Sequence, residues 1–346
     1  MELRETIKSL SRLNGPSGFE DSVRSAITEM LTGLVGEIRT DVMGNVFGVR
    51  KCGKEGAKTI LLDAHMDEIG LIVTGYEKGF LRFGTLGGVD PRMLPAREVI
   101  VMTEPPMHGV IDTMPPHVLS AGDMDKSIEA DKLFINVGLS EENAEKLVPL
   151  GTPVVFNAEI FELGENQLCG KALDDRACAA IILMIMDNLK DKELNVDVCA
   201  MFSTQEEVGC RGASAGVFSA DPDWAVAIDV THGKTPDAKE NGILNMEGGP
   251  AIGVGPNMNR ALTGEVFAAA GRIGVKCQTE VIRGNSGTNA WPMQISRGGV
   301  ATAVVSLPLK YMHTPVETIS VRDAQQIVDV LTELIISMDG EGPRYA

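Results

Sequence analysis

No apolar run in the 346 residues approaches the ~20 needed to span a bilayer; the longest, around 179–186 and 300–309, fall well short, so a soluble chain is expected. Aromatic side chains are scarce, with only 2 Trp and 3 Tyr, too few for the stacking platforms of a typical carbohydrate cleft. The six cysteines, at 52, 169, 178, 199, 210 and 277, form no close pairs, which reads as reduced thiols in a cytoplasmic protein without disulfides. Basic residues are outnumbered 31 to 48 by acidic ones, and a net charge of −17 repels phosphate backbones and anionic lipid headgroups. Neither nucleic acid nor a membrane is an expected partner. Residues 1–13 interleave charges with Leu3, Ile7, Leu10 and Leu13 at helical spacing, unlike the unbroken apolar core of an export signal. Internal repeats and low-complexity segments are also lacking.

What remains is ordinary globular material, long enough for two domains. Two amphipathic helices open the chain, on either side of the breaker Asn14-Gly15-Pro16-Ser17-Gly18. A hairpin-like pair follows at 37–42 and 46–50, then a buried strand at 59–63. Between 68 and 161 the texture becomes all-β: short runs at 70–76, 80–83, 98–102, 132–137 and 152–156, divided by Gly, Pro and charged clusters. Beyond Gly170, helices (175–189, 260–273, 321–338) alternate with strands (196–203, 224–230, 276–282, 300–307), the pattern of a mixed or parallel sheet covered on both faces. The expected architecture is a discontinuous α/β domain, 1–67 and 162–346, interrupted by a β insertion at 68–161.

Ligand-type side chains stand near the ends of the α/β strands, where open α/β sheets gather their active sites. His65 and Asp67, two apart, share one side of an extended chain, so His65 can bind a cation while Asp67 orients its ring. A buried His satisfied by a neighbouring Asp explains the pair equally well. Asp174 and Asp175 open a helix, where a capping aspartate is the plainer explanation. Glu206 and Glu207 follow an apolar strand; both reach one centre only if the chain turns there, which Gly209 would help, and a solvated loop is the bland alternative. Asp229 closes an otherwise apolar strand, where a buried carboxylate needs a cation or strong donors. His313 follows another apolar strand. Together, two histidines and at least three carboxylates at like positions compose a two-cation site. Two divalent cations bring about +4, which Asp174, Glu207, Asp229 and a shared hydroxide offset. Glu206 is then the spare carboxylate, free to take a proton from the shared water.

The ordered series His65-Met66-Asp67-Glu68, Leu173-Asp174-Asp175-Arg176, Glu206-Glu207, Asp229 and His313-Thr314-Pro315 resembles the M42 family of metallo-aminopeptidases, which includes the glutamyl aminopeptidases and the tetrahedral (TET) peptidases. The match runs along nearly the whole chain. It implies a three-layer α/β/α metallopeptidase domain carrying a barrel-like β dimerisation domain, in an aminopeptidase acting on short peptides. It implies two zinc or cobalt ions on His65, Asp174, Glu207, Asp229 and His313: one with Glu207 and His313, the other with His65 and Asp229, and Asp174 bridging. Glu206 would be the general base, Asp67 would support His65, and the Asp174-Asp175 peptide would be cis. Dimers would be the building block, often of twelve-subunit shells. Relatives usually carry Gly-Thr-Asp-Ala where this chain has Gly287-Thr288-Asn289-Ala290, and often Gly in place of Cys178; the first difference bears on side-chain preference, the second on packing.

Three rivals make distinct predictions. Gly212-Ala213-Ser214-Ala215-Gly216 fits the serine-hydrolase pattern G-x-S-x-G, with Asp229 and His232 or His313 downstream, but needs a strand directly before Ser214, where the sequence is broken by glycine. A glycoside hydrolase using two carboxylates would require an aromatic cleft that the composition does not supply. A purely structural metal site would bind cations without turnover and would have no use for Glu206 as a spare base.

Overall fold

The computed structural model describes residues 1–118, 128–238 and 243–342. The chain opens with α1 (Leu3–Ser11), α2 (Asp21–Leu31), β1 (Glu37–Thr40), β2 (Val46–Arg50) and β3 (Thr59–His65). A second group comprises β4 (Gly70–Glu77), β5 (Phe80–Leu86), β6 (Glu98–Val101), β7 (Met107–Asp112), β8 (Phe134–Asn136), α3 (Glu141–Leu147) and β9 (Pro153–Phe156). The third group begins with β10 (Phe161–Leu163), β11 (Gln167–Gly170), α4 (Leu173–Leu189), β12 (Asp197–Ser203), α5 (Arg211–Ala220) and β13 (Trp224–His232). It ends with β14 (Ala251–Val254), α6 (Arg260–Arg272), β15 (Gln278–Val281), α7 (Ala290–Met293), β16 (Ala301–Lys310), β17 (Glu317–Ser320) and α8 (Val321–Ser337).

The first and third groups share one sheet in the order β1-β2-β12-β3-β13-β16-β17-β11-β10, with β14 attached to β16 and β15 to β14. Its centre, β12-β3-β13-β16, is parallel. Those strands are buried along nearly their whole length because helices cover both faces. Alternate residues of each strand point to opposite faces: Ile60, Leu62, Val226, Ile228, Val305 and Leu307 join the core under the long helices. Leu61, Met201, Ala225, Ala227 and Val304 join the smaller core under α5 and α7. On this second face the strands turn polar towards their carboxyl ends. The apolar positions give way to Asp63 and His65 on β3, Ser203 on β12, Asp229 and Thr231 on β13, and Ser306 on β16, all buried. Strand alternation alone therefore collects a polar surface at one end of an otherwise apolar layer.

The second group closes into a six-stranded barrel, β4-β5-β8-β7-β6-β9, around its own core of Leu71, Val73, Leu81, Val99, Ile111 and Ile135. No described helix is long and apolar enough to cross a membrane. Several elements differ from the sequence expectation. The stretch read as all-β contains α3, whose start is capped by Ser140. The segment around Ser214, to which the sequence reading assigned no element, is helix α5. β13 continues through Thr231 to His232 because its pairing with β16 persists to Leu309, so Asp229 lies inside the strand and not at its end.

Candidate metal centre

Four loops beyond the sheet's carboxyl edge bring the predicted residues together. His65 is the last residue of β3, and the chain stays tied to β12 by the Met66 amide donating to the Ser203 carbonyl at 2.7 Å. After β12, Gln205 adopts a left-handed conformation (φ 55°) that turns the chain. The next two amides, of Glu206 and Glu207, donate to the two carboxylate oxygens of Asp67 at 2.9 and 3.1 Å. One carboxylate thus clamps the turn that presents both glutamates, with Ser17 Oγ donating to it at 2.6 Å. Asp174 and Asp175 depart from helical dihedrals at the start of α4, with Ala172 left-handed before them, so neither is a simple cap; the peptide between them is cis. Glu317 fixes two of these loops together: it accepts from the Asp174 amide at 3.1 Å and from the His313 amide at 2.9 Å.

The two imidazoles meet at Asp174. His65 Nε2 lies 3.1 Å from Asp174 Oδ1 and His313 Nε2 lies 3.4 Å from Oδ2, with Glu207 Oε1 3.3 Å from the same His313 nitrogen. Each Nδ1 faces a backbone carbonyl: that of Asp67 at 3.1 Å for His65, and that of Gly88 at 3.0 Å for His313. A carbonyl can only accept, so Nδ1 of each ring carries a proton; Nε2 shares its own proton with the facing carboxylates, and a cation that displaced that proton would find the Nε2 lone pair already aimed, as in metal-ligating histidines. The Asp67 carboxylate is 3.4 Å from His65 Nδ1, farther than its own carbonyl. Three groups of potential ligand atoms lie within 4.8 Å of one another: Asp174, Glu207 and His313; His65, Asp175 and Asp229; and His65, Glu206 and Glu207. All seven predicted residues, Asp67 included, belong to this one constellation.

Its charges are unbalanced without a cation. Burial drives the carboxyl groups of Asp229, Asp175 and Glu317 well above their usual range and raises that of Glu207. Burial, reinforced by Glu207, lifts Glu206 to about 7. Asp174 is depressed despite its burial, because both imidazoles hydrogen-bond to it. Against the opposing pull of burial, hydrogen bonds to Asp174 and Glu207 raise His313 to about 11, and those to Asp174 and Asp67 raise His65. Asp175 Oδ1 is buried without a hydrogen-bond partner among the described residues. So many carboxylates around two outward-facing Nε2 atoms constitute an oxygen-and-nitrogen donor set that fits divalent cations of the zinc type.

Several residues around the site had no role assigned from the sequence. Below the site Glu68 is buried in a cationic nest, 2.9 Å from Lys171 Nζ and 3.7 Å from Arg176 Nη2, and Arg176 donates to the carbonyls of Met66, Leu10 and Gly15. Asp63 Oδ2 accepts from Asn289 Nδ2 at 2.8 Å, which gives the unusual Asn289 a partner. Ser214 sits in α5 with its hydroxyl donated to the Cys210 carbonyl at 2.8 Å; no strand precedes it, so it is not at a nucleophile elbow. A cavity of about 550 Å³ opens on the constellation, walled on its far side by Thr231, Glu280, Ile282, Trp291, Val304, Ser306 and Met312.

With this geometry established, the chain matches the family model described as M42 glutamyl aminopeptidase over residues 44–330. It is 34% identical over 337 residues, 96% of each chain, to the lysyl aminopeptidase of Pyrococcus furiosus. Among solved structures, it superimposes on the TET aminopeptidase of a marine-sediment Thaumarchaeota archaeon with a TM-score of 0.93 and 31% identity, covering 98% of this chain and 97% of that one. It also superimposes on the TET1 peptidase of Pyrococcus horikoshii, which can assemble into a tetrahedron or a large octahedral shell, with a TM-score of 0.86 and 31% identity over 97% of this chain and all of the other.

Proposed function

The chain belongs to the M42 glutamyl aminopeptidase family, enzymes that hydrolyse peptide bonds, and from that premise we propose an aminopeptidase whose centre holds two divalent cations, zinc or cobalt. His65, Asp174, Glu207, Asp229 and His313 would hold them. The observation that carries this reading is the placement of the two Nε2 atoms on opposite oxygens of the Asp174 carboxylate, at 3.1 and 3.4 Å, with both rings locked from behind by backbone carbonyls. Such ions supply Lewis acidity towards the scissile carbonyl and the attacking water.

The chain's own groups handle the protons and the substrate. Glu206, raised to about 7, is matched to accepting a proton from water near neutrality and returning it to the leaving amine, so it ends the cycle as it began. Cys210 Sγ, 3.2 Å from Glu206 Oε1, holds the carboxylate in place. Asp67 sets the Glu206-Glu207 turn through its two amide contacts and backs His65 through its carbonyl. The substrate's free α-ammonium belongs at the Asp229 side of the carboxylate cluster, which confines cleavage to the first residue of short peptides. Residues 68–161, containing the barrel, form the dimerisation domain, and dimers are the unit from which larger homo-oligomers are built, as the assemblies of the P. horikoshii relative suggest.

The test is Glu206→Gln in metal-loaded protein. Turnover of aminoacyl-p-nitroanilides should fall by roughly 10²–10⁴-fold, with two equivalents of metal retained by elemental analysis. A variant that keeps most of its activity would overturn the role of Glu206, and failure of the wild type to hold metal would overturn the centre.

A further inference from the structure

Both acidic and basic N-terminal residues are conceivable substrates for this family, and the cavity wall separates them. Among the described residues, Glu280, on β15, is the one acidic residue lining the cavity outside the constellation already described. Its Oε1 accepts from Thr231 Oγ at 2.5 Å and its Oε2 from Ser306 Oγ at 2.7 Å. Both hydroxyls are uncharged and buried, so they aim the carboxylate without neutralising it. Among the described residues no Lys or Arg lines the cavity and no cation pairs with Glu280. A carboxylate has room for about four hydrogen bonds, and only two are filled here.

Sheet register fixes where this charge sits. Thr231 is two residues beyond Asp229 on the same face of β13, and Ser306 is the residue of β16 registered against Asp229. At a strand rise of about 3.3 Å per residue, Thr231 stands roughly 7 Å along from Asp229, comparable to the span of an extended lysine side chain. Ile282, Trp291, Val304 and Met312 supply apolar wall for its methylene stem, leaving the cationic head for Glu280. An acidic side chain in the same space would meet carboxylates and no Lys or Arg.

We propose that Glu280, held by Thr231 and Ser306, is the specificity residue of this site and selects peptides with an N-terminal lysine or arginine. The inference rests on the aminopeptidase reading above. In the test, the metal-loaded enzyme is given lysyl-, arginyl-, leucyl- and glutamyl-p-nitroanilide, and kcat/KM is compared between wild type and Glu280→Gln. The wild type should favour Lys and Arg over Leu by about tenfold or more and disfavour Glu further, and the substitution should lower the Lys-to-Leu ratio about tenfold, mainly through KM. A wild type that cleaves leucyl or glutamyl substrate as well as lysyl overturns the proposal while leaving the aminopeptidase standing. So does a variant that loses activity on all four by one factor, since that marks Glu280 as structural. Absence of turnover on every substrate overturns the aminopeptidase reading and this inference with it.

Discussion

Glu206 owes its elevated proton affinity to burial beside Glu207, and the proposed reaction needs its ionised form. The rate kcat/KM should therefore rise with pH through an acid limb. Because a bound cation favours the charged form, that limb should lie no higher than about 7 and fall lower as metal occupancy increases. A profile flat from pH 5 to 8, or unchanged in Glu206→Gln, would count against the assignment. Asp63 offers a second check. Burial lifts it to about 7, while Asn289 and Ser203 hydrogen-bond to it. In Asn289→Asp, an amide donor gives way to a second carboxylate at the same contact, and two facing carboxylates cannot both ionise cheaply. Denaturant unfolding should show a loss of about 1–3 kcal/mol at pH 8, shrinking at pH 5.5 where the pair can share a proton. At this scale the sequence disclosed much: His65, Glu206, Glu207, Asp229 and His313 stand beside apolar strands, and Asp174 at the start of a helix, and the structure gathers all six. Asp175 was legible only as the neighbour of Asp174, and Glu317 and Asp63 were not legible at all, because their significance lies in which distant amide or side chain they meet, and residue spacing encodes none of that.

Among elements, the loop after β5 has the closest hold on the constellation from outside the large sheet. A Cβ added at Gly88 would lie 2.7 Å from His313 Nδ1, the nitrogen that donates to the Gly88 carbonyl. Gly88→Ala should thus push the ring away from its supporting hydrogen bond and weaken cation binding by roughly 10–100-fold, measured by competition with a chromophoric chelator. Unchanged affinity would mean that the barrel loop yields instead of the histidine. The long helices and the central parallel strands were readable from apolar periodicity, because burial on one face or two writes itself into the sequence. α5 was hidden by its glycines, which disfavour helix locally but are needed for packing: a Cβ at Gly212 would be 2.4 Å from the Thr204 carbonyl oxygen, and one at Gly216 would be 2.6 Å from Met201 Sδ. The short strands β10, β11, β14 and β17 escaped the sequence reading; β11 pairs with β17 and β14 with β16 across long stretches of chain, and a local pattern does not encode such partners.

For the whole molecule, the order of the chain matters: His65 and Asp67 precede the barrel, and every other proposed functional residue follows it, so the constellation exists only when the two flanking segments close into one sheet. Closing it crowds negative charge, and the metal-free fold should carry that strain in a pH-dependent way. Glu206, Glu207, Asp175, Asp229 and Glu317 have folded-state values above their unfolded ones, as do His65 and His313. Above about pH 4.5 these seven groups bind more protons in the folded apoprotein than in the unfolded chain, so their contribution to stability falls as pH rises towards and past neutrality. The carboxylates give up their share as pH climbs towards 7 and beyond; the histidines hold theirs below about 6.5 and lose it above, His313 on the way to about 11. Asp67 and Asp174 act with the opposite sign, but only below their usual value near 4. Cations replace those protons, so the melting temperature of chelator-treated protein should be lower at pH 8.5 than at pH 5.5, and the rise on adding zinc or cobalt should be larger at pH 8.5. General self-repulsion from the net charge of −17 acts with and without metal, so the metal-dependent increment isolates the centre. An increment that is equal at both pH values, or larger in acid, would mean that these carboxylates and imidazoles are not what the cations engage.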